Sequence, residues 1–398
     1  MKKIFTILIV SFTILLHNSC SSDRDKNDIN QINIDSFEKI DILQYGDSNF
    51  FEKCFPVKLE AKEESIIGEI TQLEMSGGQI FILDKKTERI LVFDIKGKHL
   101  YNIGRKGGGE EEYISISSFY IDNKENTINI IDPLGKSVYK YKITGEFVKR
   151  TKHKNSDLSF VRKISVIDDR LFCFSGSNWE GNHMFSIVDK DSYNLLKIIR
   201  QYPVYSKDYI SYRLATQPYS IFNDSLTYLS ILSDTVYLYQ NNNITSHKVI
   251  NHGEKIPVNS EKLEFLAQAN QNNYYKIINQ IIEGEEYSQG FRNFFENERY
   301  ICCDFFVGRG IFQAIIFDKK EEKGFYINEY IHGGPDFGPF ECTMNNYIIR
   351  VWKPDLINSF KKELQTKDIV YPQELLQAID GYNEYDDNPI LIFFKLKD

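Results

Sequence analysis

The chain has 398 residues, 42% of them hydrophobic and 26% charged, which is an ordinary globular composition with ample length for a large core. Its formal net charge of -8 excludes a bulk attraction for nucleic acid, whose binding depends on neutralising phosphates. Phe and Tyr are abundant, at 29 and 25 copies, and this enrichment favours strands over helices.

The N-terminus has the pattern of an export signal. Lys2 and Lys3 precede an apolar run over residues 4–16, which is too short to span a bilayer comfortably. Ser19 before Cys20 resembles a bacterial lipobox, so we predict residues 1–19 to be a lipoprotein signal peptide and Cys20 to be lipidated. Ordinary signal-peptidase cleavage is the alternative. Lipidation predicts an exported outer-membrane lipoprotein at the cell surface, held to the membrane by its N-terminal lipid.

Residues 20–36 are polar and rich in charge, so we predict a flexible tether with no apolar area to bury. The cysteines beyond Cys20 are irregularly spaced and form no CxxC motif, which argues against a disulfide scaffold or a metal site. We expect them to be small apolar residues buried in strands: Cys54, Cys173, Cys302, Cys303 and Cys342.

A repeated strand pattern begins near Gly68. Gly77-Gly78 separates two β-patterned runs, and Gln79–Asp84, Arg89–Asp94 and a run over 99–104 then follow one another across short polar turns. Four antiparallel strands in about forty residues match one blade of a β-propeller. A second copy spans 116–150, and weaker copies follow at 165–200, 217–250, 287–330 and 344–396.

These copies predict an all-β domain over residues 37–398, a six-bladed β-propeller of four-stranded antiparallel blades. A strand at residues 54–59 is expected to close the ring against the C-terminal blade. Two stretches have helical spacing, 259–283 and 373–380, the second begun by Pro372, and both are predicted as short helical insertions between strands.

The chain also resembles a known family. The residues that carry the resemblance are Gly68-Glu69-Ile70, Ile80–Asp84, Val92-Phe93-Asp94, Gly97, Ile103-Gly104, Gly107, Glu112-Tyr113 and the terminal Asp387-Asn388-Pro389-Ile390 with Lys395-Leu396-Lys397. They are similar to the six-bladed β-propeller lipoproteins of bacterial surface glycan-scavenging lineages, which are distantly similar to NHL-repeat propellers. The resemblance implies this fold, export and a binding role, and it supplies no catalytic residues. Gly109-Glu110-Glu111 replaces a proline usual in that family.

The loop from Arg105 to Tyr113 contains three glycines and lies between two predicted blades. Glycine backbone N–H groups can face an anion, while the acids at 110–112 favour a cation. The alternative is an interblade turn with Tyr113 packed into the second blade, and a similar loop at 331–340 favours that alternative. Aromatic residues near 177–183 offer either a sugar-stacking platform or blade packing. The candidate ligand-binding residues are Arg105, Glu112, Tyr113, Trp179, His183, His332 and Asp336.

No HxH, HExxH, GxSxG or phosphate-binding glycine motif occurs in its required context, so no catalytic residue, metal ligand or cofactor is predicted. A Ca²⁺ site stays an alternative only at the acid pairs Asp189–Asp191 and Asp386–Asp387. The favoured hypothesis is a non-enzymatic propeller that binds a small molecule, a glycan or a surface protein at its channel face. The alternatives are a metal-dependent lactonase- or lyase-like enzyme acting on a carbohydrate-derived substrate, and a structural accessory subunit.

Overall fold

The computed structural model describes residues 30–40, 47, 49–155, 157–175, 183–201, 217–229, 234–257, 283–284, 286–307, 311–327, 341–344, 346–365 and 371–398. Three strands precede the first repeat: β1 (Asn30–Ile32), β2 (Glu38–Ile40) and β3 (Phe51–Lys58). Blade 1 follows, with β4 (Ile70–Ser76), β5 (Gln79–Asp84), β6 (Arg89–Asp94) and β7 (His99–Ile103). Blade 2 contains β8 (Ser118–Asp122), β9 (Thr127–Asp132), β10 (Ser137–Lys142) and β11 (Phe147–Lys152).

Blade 3 contains β12 (Val161–Ile167), β13 (Arg170–Ser175), β14 (His183–Asp189) and β15 (Leu195–Gln201). Blade 4 contains β16 (Tyr219–Phe222), β17 (Ser225–Leu229), β18 (Thr235–Gln240) and β19 (Asn243–Ile250). A short strand, β20 (Ile256–Pro257), precedes blade 5, which contains β21 (Tyr287–Glu296), β22 (Tyr300–Val307), β23 (Ile311–Asp318) and β24 (Lys323–Ile327).

Blade 6 is assembled from both ends of the chain. It contains β25 (Cys342–Met344) and β26 (Tyr347–Trp352), then helices α1 (Pro354–Leu364) and α2 (Gln373–Ile379), and finally β27 (Ile390–Leu396). Strand β27 pairs antiparallel with β3, from Ile390 opposite Lys58 to Leu396 opposite Phe51. The predicted ring closure is therefore confirmed, and so is the predicted fold of six four-stranded antiparallel blades.

Apolar clusters join each blade to the next. Separate buried clusters link blades 1 and 2, 2 and 3, 4 and 5, 5 and 6, and 6 and 1. Phe172 makes the link from blade 3 to blade 4, through ring contacts with Tyr219, Tyr228 and Tyr239. Cys302, Cys303 and Cys342 lie in these clusters, as the sequence predicts for small apolar residues.

The two faces of the ring differ in the length of their connections. One face, here called the turn face, carries the turns from the first to the second strand and from the third to the fourth strand of each blade. The longest turn on it links Asp189 to Leu195. The opposite face, here called the insertion face, carries the turns from the second to the third strand, and both helices lie between strands that meet there.

The helix prediction for 373–380 is confirmed by α2, whose N-cap is Pro372. Helix α1 begins at Pro354 and is not among the helices that the sequence pattern predicts. It packs through Ile357 and Phe360 into the cluster that joins blades 5 and 6. The predicted helix at 259–283 lies almost wholly outside the described residues.

Residues 30–40, here called the strap, cross the outer edges of blades 4 and 5. Strand β1 pairs in parallel with β19, and β2 pairs in parallel with β24. Ile32, Ile34 and Phe37 of the strap are buried against these blades. The prediction that the tether extends to Ser36 is therefore wrong, because its three apolar side chains cover edge strands that otherwise expose unpaired backbone groups.

An aspartate ends the second strand of blades 1 and 2 and accounts for part of the repeated sequence pattern. The buried Asp84 carboxylate accepts hydrogen bonds from the backbone N–H groups of Gly68, Glu69 and Lys86 at 2.9–3.1 Å. These donors belong to the connection into blade 1 and to the turn after β5. One carboxylate thus fixes two loops of the insertion face.

Blade 2 repeats the arrangement with Asp132, which accepts from the backbone N–H groups of Ile114 and Gly135, both at 2.8 Å. Asp94 caps a turn on the other face, accepting from Lys96 N and Lys98 N at 2.9 Å. The recurrence of these acids at strand ends follows from turn geometry, since a short carboxylate satisfies several turn N–H groups at once.

Replacement of Asp84 by Ala leaves three backbone donors of two loops without their acceptor. We expect the free energy of unfolding to fall by about 2–4 kcal/mol, because hydrogen bonds to a charged group are the stronger kind and the Asp84 side chain is fully buried. Urea unfolding followed by circular dichroism measures the change. Asp169→Asn, at an exposed turn of positive φ with one ion pair to Lys124, is the control and should lose under about 1 kcal/mol. Equal losses in both variants would contradict this role.

Candidate functional site

A cavity of about 620 Å³ occupies the turn-face end of the central channel. Every blade contributes residues to it from its innermost strand or the adjoining turn. The lining residues are Glu74, Met75, Ile121, Asn123, Lys163, Ile164, Ser165, Val166, Gln217, Tyr219, Ser220, Ile221, Phe222, Asn223, Asp224, Phe295, Glu296, Asn297, Thr343 and Met344.

A buried lysine lies at the centre of the polar wall. The Nζ atom of Lys163 is 3.1 Å from Glu74 Oε1 and donates to Gln217 Oε1 at 2.7 Å. The Lys163 side chain is only 8% exposed and that of Glu74 21%, so the pair is shielded from most solvent screening. Three blades meet at this ammonium group, because Glu74, Lys163 and Gln217 come from blades 1 and 3 and from the connection into blade 4.

Gln217 is held by groups on both sides of it. Its backbone N–H donates to Asn293 Oδ1 at 2.9 Å, and its carbonyl accepts from Phe294 N at 2.7 Å. The side-chain Nε2 donates to the carbonyl of Tyr219 at 2.5 Å. The amide oxygen is consequently fixed toward Lys163, which makes the polar wall a preorganised feature.

An aromatic residue completes this side of the cavity. Tyr219 Oη lies 2.9 Å from Ser165 Oγ, and the Tyr219 ring centre is 5.9 Å from Lys163 Nζ. Burial raises the pKa of Tyr219 well above its usual value, so the phenol stays protonated at neutral pH. A protonated phenol and a serine hydroxyl can each donate or accept a hydrogen bond.

Side chains also join neighbouring inner strands, which have no backbone ladder between them. Gln72 accepts from Phe119 N at 3.0 Å and from Ser118 Oγ at 2.8 Å, and its Nε2 donates to Phe119 O at 2.7 Å. The alternation of β4 places Gln72 and Glu74 on the same side of the strand, toward the channel. Gln72 Nε2 also reaches Glu74 Oε1 at 3.2 Å.

A second buried carboxylate, Glu296, borders the same cavity. Burial alone raises its pKa. The hydrogen bond from His247 and the charges of Lys248 and Lys319 outweigh that effect and lower the pKa to about 2. The Lys248 and Lys319 ammonium nitrogens are 3.0 and 3.2 Å from Glu296 Oε1. Glu296 is therefore ionised at neutral pH and neutralised by cations of blades 4 and 5.

Glu341 lies where the chain enters β25, at the insertion-face end of that inner strand. Its Oε2 atom accepts from Val351 N at 2.9 Å. Burial raises its pKa to about 7, although the Val351 hydrogen bond and the charges of Arg350 and Lys353 oppose the rise. Glu341 thus changes charge near neutral pH.

The loop of Arg105 to Tyr113 is an interblade turn closed by its own contacts. Glu112 pairs with the exposed guanidinium of Arg105 at 2.5 Å and accepts from Gly109 N at 2.8 Å. The Tyr113 side chain is fully buried, and its Oη donates to Glu88 O at 2.7 Å. This placement matches the structural alternative for the loop: Tyr113 packs between blades and presents no surface to a ligand.

The remaining sequence candidates do not join this cavity. His183 begins β14 at the insertion face and is partly buried. Cys20, Trp179, His332 and Asp336 lie outside the described residues. The sequence reasoning missed Glu74, Lys163 and Gln217, although a charged residue inside the apolar patterns ITQLEMS and VRKISVI was a usable signal.

The acid pairs considered for Ca²⁺ serve as turn caps. Asp189 accepts from Asp191 N and Ser192 N at 3.2 and 2.7 Å. Asp386 and Asp387 both accept from Asn383. Across the part of the chain that the structure describes, no group of three or more His, Cys, Asp or Glu side chains is arranged to hold a metal ion.

This chain is similar to proteins of known sequence and structure. Residues 29–395 match the model of the family described as Domain of unknown function (DUF4934), and the chain belongs to that family. A crystal structure of a provisionally named exported protein from Bacteroides fragilis NCTC 9343 has a TM-score of 0.71 and 20% identity, covering 93% of this chain and 100% of that one. This likeness shows the propeller fold.

A second structure, of a DUF4221 family member from Bacteroides vulgatus ATCC 8482, has a TM-score of 0.49 and 12% identity, covering 87% of this chain and 97% of that one. No protein with a curated description matches this chain. Among the described helices, none is both long and apolar enough to cross a membrane.

Glu341 predicts a measurable pH dependence. Its pKa is raised from 4.5 to about 7 by folding, so the folded state binds this proton more tightly than the unfolded state. The contribution of Glu341 to the free energy of unfolding therefore falls as pH rises from about 4.5 to 7. Glu341→Gln keeps an acceptor for Val351 N and removes the titration, so it should gain stability relative to the wild type between pH 5 and pH 8.

Urea unfolding at a series of pH values measures the slope for each protein. Glu146→Gln, in an exposed turn of blade 2, is the control and should follow the wild-type slope. An unchanged slope in Glu341→Gln would show that another group carries the dependence.

Proposed function

We propose that this protein is an exported, lipid-anchored propeller that binds a small ligand in the turn-face cavity and catalyses no reaction. The observation that carries the proposal is the Lys163–Glu74–Gln217 wall inside a cavity of about 620 Å³, a size usual for small-molecule sites. The proposal includes no cofactor and no nucleic-acid partner.

The unused hydrogen-bonding capacity of the wall indicates the ligand class. An ammonium group has three N–H donors, and Lys163 directs two of them at Glu74 and Gln217. Lys163 and Gln72 both approach Oε1 of Glu74, and among the described residues no hydrogen bond is made to Oε2. One hydroxyl group of a ligand satisfies both side chains, because it accepts from the Lys163 ammonium and donates to the Glu74 carboxylate.

The charges of the cavity support a neutral ligand. Lys163 and Glu74 neutralise each other, and Glu296 is neutralised by Lys248 and Lys319. Apart from the exposed Asp224, the rest of the lining consists of amides, hydroxyls and apolar side chains. We therefore infer a neutral, hydroxyl-rich molecule such as a mono- or oligosaccharide, which matches hydroxyls to the amides and carbon faces to Ile221 and Phe222.

Calorimetric titration of residues 30–398 with neutral sugars, matched uronic acids and amino sugars tests the proposal. We expect neutral sugars to bind and Lys163→Met to weaken that binding about 10- to 100-fold, since a buried hydrogen bond to a charged group is lost. Lys124→Met, on the same face but at an exposed ion pair, is the matched control and should bind like the wild type.

Ile221→Trp provides a second variant that leaves the ion pair intact. Ile221 lines the cavity and is partly exposed, so the larger ring should obstruct the mouth and weaken binding without unfolding the protein. Sugar binding that persists in both Lys163→Met and Ile221→Trp would place the ligand elsewhere. Metal-dependent turnover of a sugar lactone would favour the enzyme alternative.

The lipid anchor has its own test. Cys20→Ser removes the only thiol at the predicted cleavage site, so we expect the protein to move from the membrane fraction to the soluble exported fraction. Ser22→Ala, two residues further along, should remain with the membrane. Fractionation with metabolic lipid labelling measures both, and membrane retention of Cys20→Ser without label would contradict lipidation.

A further inference from the structure

We propose that a second cavity of this protein, here called the strap cavity, binds an organic acid whose carboxylate is held between the ammonium groups of Lys248 and Lys319. The cavity has a volume of about 770 Å³ and is lined by the strap and by residues of blades 4 and 5. It shares no lining residue with the turn-face cavity. The proposal therefore does not rest on the neutral ligand proposed above.

Two lysines that line the strap cavity converge on one carboxylate. The Nζ atoms of Lys248 and Lys319 are 3.0 and 3.2 Å from Glu296 Oε1. Because both nitrogens lie so close to the same oxygen, they are at most about 6 Å apart. Charge-assisted hydrogen bonds are about 2.7–2.9 Å long, so the two oxygens of one further carboxylate can reach both nitrogens.

Each ammonium group has donor capacity beyond Glu296. An ammonium carries three N–H donors. Lys319 donates to Glu296 Oε1 and to the carbonyl oxygen of Asn297, and Lys248 contacts Glu296 Oε1 and His247 Nε2. The contacts within the described part of the chain therefore leave one N–H on each lysine. A ligand carboxylate accepts both of them.

The positive charge of this cluster exceeds its negative charge. One carboxylate, Glu296, faces two ammonium groups, and the side chains of Glu296, Lys248 and Lys319 are only 5%, 11% and 23% exposed. Burial and the charge of Lys319 lower the pKa of Lys248, although Glu296 opposes that change. A buried charge is costly unless it is paired. One additional negative charge balances the cluster, so a carboxylate fits it better than a phosphate dianion.

The other charges of the lining do not supply that anion. Lys323 pairs with Glu38 at 2.6 Å, and both of these side chains are more than half exposed. Glu322 is also exposed and forms no ion pair with another described residue. Because solvent and salt screen exposed charges, the buried lysines keep their excess of positive charge.

The strap indicates what the carboxylate is attached to. It contributes the amides of Gln31 and Asn33 and the hydroxyl of Ser36, and all three side chains are exposed. Amides and hydroxyls both donate and accept hydrogen bonds, as the hydroxyl groups of a ligand require. The pairing of β1 with β19 and of β2 with β24 holds this wall against the blades. The ligand class is therefore a hydroxylated carboxylic acid, such as a sugar acid.

Calorimetric titration of the full exported chain in detergent tests the site, with glucuronate as the probe and glucose as its neutral counterpart. We expect Lys319→Met to weaken glucuronate binding about 10- to 100-fold, because one of two charged donors is lost. Lys319→Arg keeps the charge and should retain most of the affinity. Lys320→Met, at the next and exposed position of the same turn, is the matched control and should bind like the wild type.

Glu296→Gln shifts the charge of the cluster in the opposite direction. It removes the carboxylate that both lysines contact, so glucuronate should bind about 3- to 10-fold more tightly. Lysines that serve only to neutralise Glu296 would give no such gain. Circular dichroism checks that the variant is folded, and if it is not, the comparison of Lys319→Met with Lys320→Met decides.

The contrary outcomes are distinct. Glucuronate that binds equally to the wild type and to Lys319→Met, or to neither, would overturn the site. Inorganic phosphate that binds more tightly than glucuronate would overturn the carboxylate ligand. An affinity lost in Lys163→Met and not in Lys319→Met would place the acid in the turn-face cavity. Failure of glucose to bind would count against the neutral ligand proposed above and not against the strap cavity.

Discussion

The antiparallel pairing of β27 with β3 is the constraint on which the rest of the structure depends. Blade 6 has no complete sheet without a strand from the other end of the chain, so closing the ring and completing its last blade are one event. Once closed, each blade has a neighbour on both flanks, and the apolar clusters between blades are covered on both sides. The central cavity exists only in this closed state.

The strap extends the same principle to the outer edge. Strands at a sheet edge present unpaired backbone groups, and the strap pairs with two of them before the chain begins its first blade. Blades 4, 5 and 6 are therefore all completed by residues before position 60. The N-terminal segment thus supplies both the closure of the ring and the junction with the proposed membrane anchor.

The two faces of the ring differ in their connections. Aspartates such as Asp94 and Asp189 cap tight turns of the turn face, while the insertion face carries both helices. A rigid cavity with a buried ion pair suits a small ligand, since its polar groups are oriented before binding.

Much of the fold was predictable from the sequence because its signals are local. The apolar run in Gln79–Asp84, the glycines after Ser76 and the aspartates at strand ends each act over a few residues, and the structure confirms the blades that they predict. Helix α2 was found through Pro372, another local signal. The loop of Arg105 to Tyr113 is closed by its own local contacts, between Glu112 and both Arg105 and Gly109.

The sequence by itself therefore determined the blade, the number of its repeats and the ring closure. Only the tertiary structure decided which side chains meet in the channel and where residues 30–40 belong. Lys163 meets Glu74, and Ile32 meets β19, through contacts between residues far apart in the chain. Local patterns carry no record of such contacts, because side chains of different blades become neighbours only when the ring closes.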